Sequence, residues 1–350
     1  MHKMLRAASR IAPLLVLASF TLAHAQSVND ECAGPHKILW PADHPVWSLC
    51  WISPDGSSGI DGSGIELRDV YYKGKLVLRR AGIPVLNVEY DPGGCGSLRD
   101  WQNALMDFES DGFVPPPGSR YAEPTKPPRT MCDHPGTDKG DFEGVAAQKK
   151  GAKLVLTTQL QAGPYRYTQK WTFRPDGSID ARIGFTALVE PCNVKPHNHH
   201  AYWRLEFDIG GDGKDHVEEA RLQGKANDAV TWSPFLTEAS RRNDPVRGGV
   251  WRVQSESLQR GFEIISSPKN GTADSWADAD LWILAFHPEE IDDGGARQGP
   301  RGNAVHLDQY LNDESVDGAR IVLWVHAMDR HENSGRCRFV GPTLRPIGNW

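Results

Sequence analysis

A cluster of histidines has the spacing of a metal site. His197, His199 and His200 directly precede a run that alternates between apolar and charged residues up to Ile209. Side chains of a β-strand alternate between its two faces. His197 and His199 therefore share the apolar, inward face if the strand begins that early, and His200 lies on the other face. Two imidazoles at positions i and i+2 can reach one ion, and imidazole is a ligand of copper, zinc, iron and nickel.

A third ligand of such a site has to come from elsewhere, and spacing alone does not identify it. His326 and His331 flank the end of an apolar segment that begins at Ile321. The other histidines after residue 25 are equally open as candidates: His36, His44, His134, His216, His287 and His306. The alternative is a histidine-rich surface loop without a metal.

The sequence pattern predicts that short β-strands position these residues. Alternating segments separated by Gly, Pro, Asn and Asp predict an all-β sandwich or barrel. Helical patterns are scarce, with 98–108 and 288–293 as the weak candidates. The predicted strands cover residues 65–72, 75–80, 153–160, 167–173, 178–188, 201–209, 250–254, 262–266, 281–286 and 321–328.

The N-terminus predicts export. Lys3, Arg6 and Arg10 precede an apolar run at 11–22, and Ala-His-Ala stands before Gln26. This is the pattern of a secretory signal peptide, and the apolar run is shorter than the roughly 20 residues of a membrane span. We expect a signal peptide at residues 1–25, a single domain at 26–350, no membrane attachment after cleavage, and a secreted or periplasmic protein.

Composition narrows the function classes. All 6 cysteines follow residue 25, and an even number in an oxidising compartment indicates disulfides whose pairing the sequence leaves open. The net charge of -6 argues against a basic nucleic-acid surface. The chain has no phosphate-binding glycine loop, no H-E-x-x-H and no G-x-S-x-G, which argues against nucleotide hydrolysis, zinc proteolysis and serine hydrolysis.

Four blocks of sequence, taken together, resemble the catalytic domain of the copper-containing amine oxidases. The block at 64–94 includes V-E-Y-D-P, 165–184 contains W-x-F-x-x-D-G-x-I, 197–219 begins with the H-x-H, and 308–331 ends in a histidine. They occur in the family's order. The resemblance implies a large twisted β-sandwich that oxidatively deaminates a primary amine with dioxygen, giving an aldehyde, hydrogen peroxide and ammonia. It also implies copper, topaquinone and a homodimer.

The resemblance assigns the metal ligands. His197 and His199 match the two copper ligands of the family's H-x-H strand. His331 follows Trp324 at the distance of the family's third ligand. His326 remains the rival for that position.

The resemblance also assigns the catalytic residues. Tyr165 matches the tyrosine that becomes topaquinone, Tyr90 matches the tyrosine that hydrogen-bonds the quinone, and Asp107 is the best match to the catalytic base. The family motif around the modified tyrosine is Asn-Tyr-Asp/Glu, whereas this chain has Pro164 and Arg166 on either side of Tyr165. Proline removes a backbone donor, and arginine reverses a charge.

Two alternatives follow. The departure at Pro164 and Arg166 favours a copper-binding relative that keeps the three-histidine site and lacks the quinone. A further alternative is an unrelated β-sandwich that binds carbohydrate by stacking on tryptophans such as Trp101, Trp232 and Trp276. Ordinary core packing competes with that role for each of these tryptophans.

Overall fold

Nearly all regular structure in the chain is β-strand. The computed structural model describes residues 36–91, 97–106, 121–122, 129–133, 144–188, 190–191, 193–221, 230–294, 305–332 and 337–350. Within these ranges the helices are short 3-10 turns at Pro54–Gly56, Pro268–Asn270 and Leu307–Tyr310. The prediction of an all-β sandwich is confirmed.

The strands are numbered along the chain. They are β1 (Lys37–Trp40), β2 (Trp47–Ile52), β3 (Glu66–Tyr72), β4 (Lys75–Tyr90), β5 (Leu98–Arg99), β6 (Tyr121–Ala122), β7 (Val145–Lys150), β8 (Lys153–Ala162), β9 (Tyr165–Phe173), β10 (Ile179–Ala187), β11 (His197–Phe207), β12 (His216–Arg221), β13 (Thr231–Phe235), β14 (Ala239–Arg241), β15 (Gly249–Ser255), β16 (Arg260–Ser266), β17 (Leu281–Ala285), β18 (Ile321–His331) and β19 (Thr343–Gly348).

Two large sheets form the sandwich. The first has the strand order β1-β2-β3-β4-β11-β18-β17-β14, with β5 paired to β4. The second has the order β13-β12-β15-β16-β19-β10-β9-β8-β7-β6. Among the described strands the pairs are antiparallel except for β6 with β7. Strands β4, β11 and β18 are therefore neighbours in one sheet, and β9 and β10 are neighbours in the other.

The apolar core lies between the sheets and follows the alternation of each strand. The inward residues of β11 are fully buried and face the inward residues of β9, which include four large aromatic side chains. These core residues are Ala201, Trp203, Leu205 and Phe207 from β11, and Tyr165, Tyr167, Trp171 and Phe173 from β9. The histidines at 197 and 199 share the parity of this inward set, so they lie at one end of the core.

The other face of β11 is also covered. Tyr202, Trp282 and Trp324 belong to a second apolar cluster, which is closed over by residues from 273–279 and 305–311. His200 and His326 have the parity of this outer face. The first sheet is therefore buried on both sides around the histidines.

Strand β4 is much longer than its predicted core at 75–80, because a bulge accommodates residues that break the pattern. Gly82 pairs with Arg204 and Val85 with Tyr202, so Pro84 lies in the irregular stretch between them. A proline lacks the donor of a regular ladder and is tolerated at a bulge. The strand can thus continue to Tyr90, beside the histidines.

The two weak helix predictions, at 98–108 and 288–293, are wrong for the residues that the structure describes; residues 107 and 108 lie outside them. Leu98 and Arg99 form β5 against β4, and Leu105 forms an isolated bridge with Leu160. Residues 288–293 form a turn followed by bends. In both segments, pairing to neighbouring strands and tight turns override a weak apolar period.

The cysteine prediction is supported where the structure describes it. Cys132 and Cys337 form a disulfide, Cys50 is also disulfide-bonded, and none of the described cysteines is free. Cys32, Cys95 and Cys192 lie outside the described residues, as does the predicted signal peptide at 1–25. In the described ranges, no helix has the length and apolar character needed to cross a membrane.

Candidate metal site

Three adjacent strands of the first sheet each have a terminus at the same end of the sheet. His197 is the first residue of β11, and it pairs with Tyr90 on β4 and with His331 on β18. Tyr90, His197 and His331 therefore form a row across the sheet. Tyr165, the first residue of β9, faces this row from the second sheet.

The structure brings His197, His199 and His331 together, and we call them the histidine triad. The ring of His197 lies 4.9 Å from that of His199 and 5.0 Å from that of His331, centroid to centroid. The rings of His199 and His331 are 6.4 Å apart. Nδ1 of His331 lies 3.3 Å from Nε2 of His197. Nε2 of His199 and Nε2 of His331 are buried without a hydrogen-bond partner.

Hydrogen bonds behind the triad direct its nitrogen lone pairs. Nδ1 of His197 donates to the carbonyl of Lys195 at 2.6 Å, which leaves Nε2 as the acceptor nitrogen. The Tyr167 hydroxyl donates to Asp100 and lies 2.9 Å from Nδ1 of His199, so it accepts the proton of that nitrogen. The free Nε2 of His199 then carries a lone pair. Such partners orient histidines for metal binding.

Burial keeps the triad in the form that binds metals. It lowers the pKa of His197, lowers that of His331 to about 4, and lowers that of His199 well below its usual value, because charged imidazolium is poorly solvated there. The neighbouring histidines lower the pKa of His199 and His331 further by mutual repulsion. The triad is thus neutral at physiological pH and offers imidazole nitrogens to a cation.

Phenol groups cover the inner side of the triad. The Tyr165 hydroxyl lies 3.1 Å from Nε2 of His197 and 2.5 Å from the Tyr90 hydroxyl. The Tyr165 side chain is buried, and burial raises its pKa above the usual phenol value. Burial likewise raises the pKa of Tyr90. Tyr165 is therefore a neutral phenol held by hydrogen bonds next to the triad.

The two residues that depart from the family's cofactor motif, Pro164 and Arg166, have defined hydrogen-bond partners. Arg166 is buried and donates to the carbonyls of Gly163 and Tyr165. Its neighbours in the strand, Tyr165 and Tyr167, both point to the triad, so alternation directs Arg166 to the opposite face of β9. The carbonyl of Pro164 accepts from the amide of Leu188 at 2.9 Å. The positive charge of Arg166 therefore points away from the triad.

Asp100 is a site residue that the sequence did not reveal. Burial raises its pKa to about 7, against the opposing hydrogen bond from Tyr167. It follows β5 as a lone carboxylate in a segment without a clear pattern, so no sequence signal marked it. Asp107, the predicted catalytic base, lies outside the described residues.

His326 lies on the other face of β18 from His331. It pairs in register with Tyr202, and its Nδ1 lies 2.8 Å from Asp280. Its Nε2 lies 3.1 Å from Nδ1 of His200. The structure thus places His331 with His197 and His199, and His326 with His200.

The tryptophans considered for carbohydrate stacking are all half-buried. Nε1 of Trp101 donates to the carbonyl of Gln161 at 2.8 Å. The Arg252 guanidinium lies 4.2 Å from the ring centroid of Trp232. Packing and hydrogen bonding within the chain account for these two contacts.

The donor chemistry of the triad suits a copper ion. The triad offers three neutral imidazoles, two of them with buried nitrogens that lack any partner, and imidazole binds copper(II) ahead of the other divalent first-row metals. The phenol of Tyr165 is adjacent. A metal held here lies within reach of an oxidisable side chain.

Comparison with solved structures defines the class of fold. The chain resembles a copper-containing benzylamine oxidase from Hansenula polymorpha, with a TM-score of 0.65 at 14% identity over 98% of this chain and 63% of that one. It also resembles the Aspergillus nidulans amine oxidase, with a TM-score of 0.56 at 13% identity over 97% of this chain and 55% of that one. A third likeness is to Pichia pastoris lysyl oxidase, with a TM-score of 0.54 at 15% identity over 86% of this chain and 51% of that one.

The likeness is one of fold. No protein-family model matches the chain, and no curated protein matches its sequence. The chain spans about half to two thirds of the solved structures it resembles. The chain therefore has the β-sandwich of the copper amine oxidases, at a sequence distance where activity does not follow from fold.

Proposed function

We propose that the protein is an exported copper-dependent oxidase of primary amines, with a quinone cofactor made from Tyr165. The observation that carries the proposal is the position of the Tyr165 hydroxyl, 3.1 Å from Nε2 of His197 and bonded to Tyr90. A buried phenol in contact with three imidazoles would lie beside a metal bound there, which supports its oxidation by dioxygen. The fold shared with copper amine oxidases supports the proposal.

The residues of the chain have separate tasks in this proposal. His197, His199 and His331 hold the copper, which supplies one-electron redox chemistry when bound. Conversion of Tyr165 to the quinone would add two oxygen atoms to the ring and remove two hydrogens, consuming two molecules of dioxygen and giving one of hydrogen peroxide. Tyr90 fixes the orientation of the ring through its hydroxyl. The buried surroundings exclude water from the reacting ring.

The substrates in this proposal are a primary amine and dioxygen, and the products are an aldehyde, ammonia and hydrogen peroxide. Asp107 is the proposed base that takes a proton from the amine's α-carbon, an assignment that rests on sequence resemblance. Residues 1–25 are proposed to direct export. Copper loading and quinone formation then take place in an oxidising compartment.

A second candidate is a copper-binding protein without the quinone. Pro164 favours it, because the family has an asparagine at this position and proline offers no side-chain amide to the ring of Tyr165. The placement of Arg166 does not favour it, since that side chain bonds to backbone carbonyls on the far face of β9. In the first candidate, the hydrogen bond between Tyr90 and Tyr165 orients the ring in place of the missing asparagine amide.

Peroxide release separates the two candidates. Protein loaded with copper in air is incubated with benzylamine and with aliphatic primary amines, and hydrogen peroxide is measured with a coupled peroxidase assay. We expect amine-dependent peroxide from the wild type and none from Tyr165→Phe, which keeps the ring and still binds copper. A wild type that holds copper yet releases no peroxide, and that does not react with phenylhydrazine, would establish the second candidate.

A further inference from the structure

A second polar cluster lies on the face of β11 that points away from the triad. It consists of His200 on β11, Glu89 on β4 and Asp274 in the segment after Pro268–Asn270, supported by His326 and Asp280. We call it the outer cluster. His200, His326 and Asp280 are fully buried, whereas the Glu89 and Asp274 side chains are 22% and 32% exposed.

A chain of hydrogen bonds fixes the orientation of His200. Asp280 accepts the proton of His326 Nδ1 at 2.8 Å and, through its other oxygen, the amide of Asn243 at 2.8 Å. Complete burial favours neutral His326, whose Nε2 is then an acceptor. It lies 3.1 Å from Nδ1 of His200, which must donate to it. The remaining nitrogen of His200, Nε2, carries a lone pair.

That lone pair faces two carboxylates. Nε2 of His200 has no hydrogen-bond partner and lies 3.6 Å from Glu89 Oε2 and 3.7 Å from Asp274 Oδ2. These separations exceed the roughly 2.7–3.2 Å of an N–H to oxygen hydrogen bond. Ligand atoms at about 2.0–2.2 Å from a tetrahedral zinc ion lie about 3.3–3.6 Å apart. The spacing thus suits a cation between the three atoms better than a direct bond.

The carboxylates are held in place for such an ion. The other oxygen of Asp274, Oδ1, accepts the amide of Trp276 at 2.8 Å, and Asn198 Nδ2 lies 3.4 Å from Oδ2. Glu89 is on a paired strand, opposite Asn198. The three ligand atoms lie within 4.8 Å of one another. The partial exposure of both carboxylates leaves a route for an ion and for a water ligand.

We propose that Glu89, His200 and Asp274 bind a divalent transition-metal ion such as zinc(II), at a site separate from the triad. One imidazole and two carboxylates form a donor set that zinc accepts, with water as a further ligand. The ion ties the segment of Asp274 to β4 and β11. It also fixes Glu89, the neighbour of Tyr90, and thereby stiffens the end of β4 that reaches Tyr165.

Zinc stoichiometry tests the outer cluster without reliance on activity. Metal-free full-length protein is equilibrated with zinc, dialysed to remove weakly held ions, and analysed by plasma mass spectrometry. We expect two zinc ions per chain for the wild type, one for the Glu89→Gln/Asp274→Asn variant and one for the His197→Ala/His199→Ala variant. Circular dichroism verifies folding, which the isosteric, partly exposed Gln and Asn replacements are expected to preserve.

A matched control is another histidine–carboxylate pair. His216 Nδ1 lies 2.6 Å from Asp317 at the surface, with a single carboxylate. Asp317→Asn should leave the zinc content unchanged. The proposal is overturned if Glu89→Gln/Asp274→Asn retains the wild-type zinc content. A failure of the triad gives a different result, because the triad variant would then match the wild type while the Glu89→Gln/Asp274→Asn variant would still lose its ion.

Discussion

Removing one hydroxyl behind the triad should weaken copper binding without touching a proposed ligand. Tyr167→Phe deletes the acceptor that lies 2.9 Å from His199 Nδ1 and the donor to Asp100. His199 then loses the partner that directs its free Nε2 into the site. Loss of such an orienting partner typically costs 10–100-fold in metal affinity, which is about 1.4–2.7 kcal/mol.

The same change has a structural cost. It leaves the buried Nδ1–H of His199 and the carboxylate of Asp100 unpaired, and each unmet buried group costs about 1–3 kcal/mol. Urea denaturation of the metal-free protein measures this part. Competition for copper with a chelator of known affinity, at fixed pH, measures the binding part. Both quantities are needed to separate a positioning role from a purely structural one.

Tyr202→Phe is the matched control, since Tyr202, which is on the first sheet, is also a buried tyrosine, and its hydroxyl has no hydrogen-bond partner. We expect wild-type copper affinity for this variant. A Tyr167→Phe protein with lowered stability but wild-type copper affinity would contradict the orienting role of Tyr167. It would show that the orientation of His199 does not contribute to a metal site.

Three further predictions concern stability. Burial raises the pKa of Asp215 from 3.8 to about 7. The stabilisation from its bound proton is therefore present below pH 4 and is lost as the pH rises through 7. Urea titrations should show the free energy of unfolding falling by up to roughly 4 kcal/mol over that window, and Asp215→Asn should remove that fall. Arg99 binds Asp293 through two hydrogen bonds of 2.6 and 2.9 Å in the buried interior. Arg99→Met should lower the free energy of unfolding by about 3–5 kcal/mol in the same assay, because it leaves a buried charge unpaired. A loss under about 1 kcal/mol would contradict the importance of this buried ion pair. Gly64 has a φ of 65° and a Cβ there would overlap the Gln169 carboxamide, so Gly64→Ala should lower the thermal midpoint, and an unchanged midpoint would show that the backbone shifts freely.

Alternation along β11 made the inward placement of the triad predictable in part. The apolar residues at odd positions from 203 to 209 set the parity, and the strand does begin at His197, so the parity extends to the histidines. The predicted strand at 75–80 stops short of Gly82 and Pro84, two residues that interrupt the strand pattern. A bulge, which is set by pairing with β11, carries the strand on to Tyr90.

The choice between His326 and His331 shows a limit of the same reasoning. The two residues are five positions apart, so strand alternation alone puts them on opposite faces. Both faces of β18 are apolar, with Leu323 in the core between the sheets and Trp324 in the second apolar cluster. Hydrophobicity therefore did not reveal which face is inward, and register with β11 decides it.

The role of Asp100 beside the triad could not be predicted from the sequence. Its contact with Tyr167 joins residues 67 positions apart, across the two sheets. The link depends on how the sheets pack rather than on any local spacing. The outer cluster is similar, because Glu89, His200 and Asp274 come from three separate segments. Strand alternation indicates only that His200 lies on the face opposite to the triad.

The most direct test of the proposed function is the mass of the peptide that contains Tyr165. Exported protein is incubated with copper in air, digested and analysed by mass spectrometry, alongside His197→Ala. We expect the wild-type peptide to gain two oxygen atoms and to lose two hydrogens at Tyr165, and His197→Ala to leave the peptide unmodified. An unmodified Tyr165 in wild-type protein that holds one copper ion per triad would contradict the proposed function.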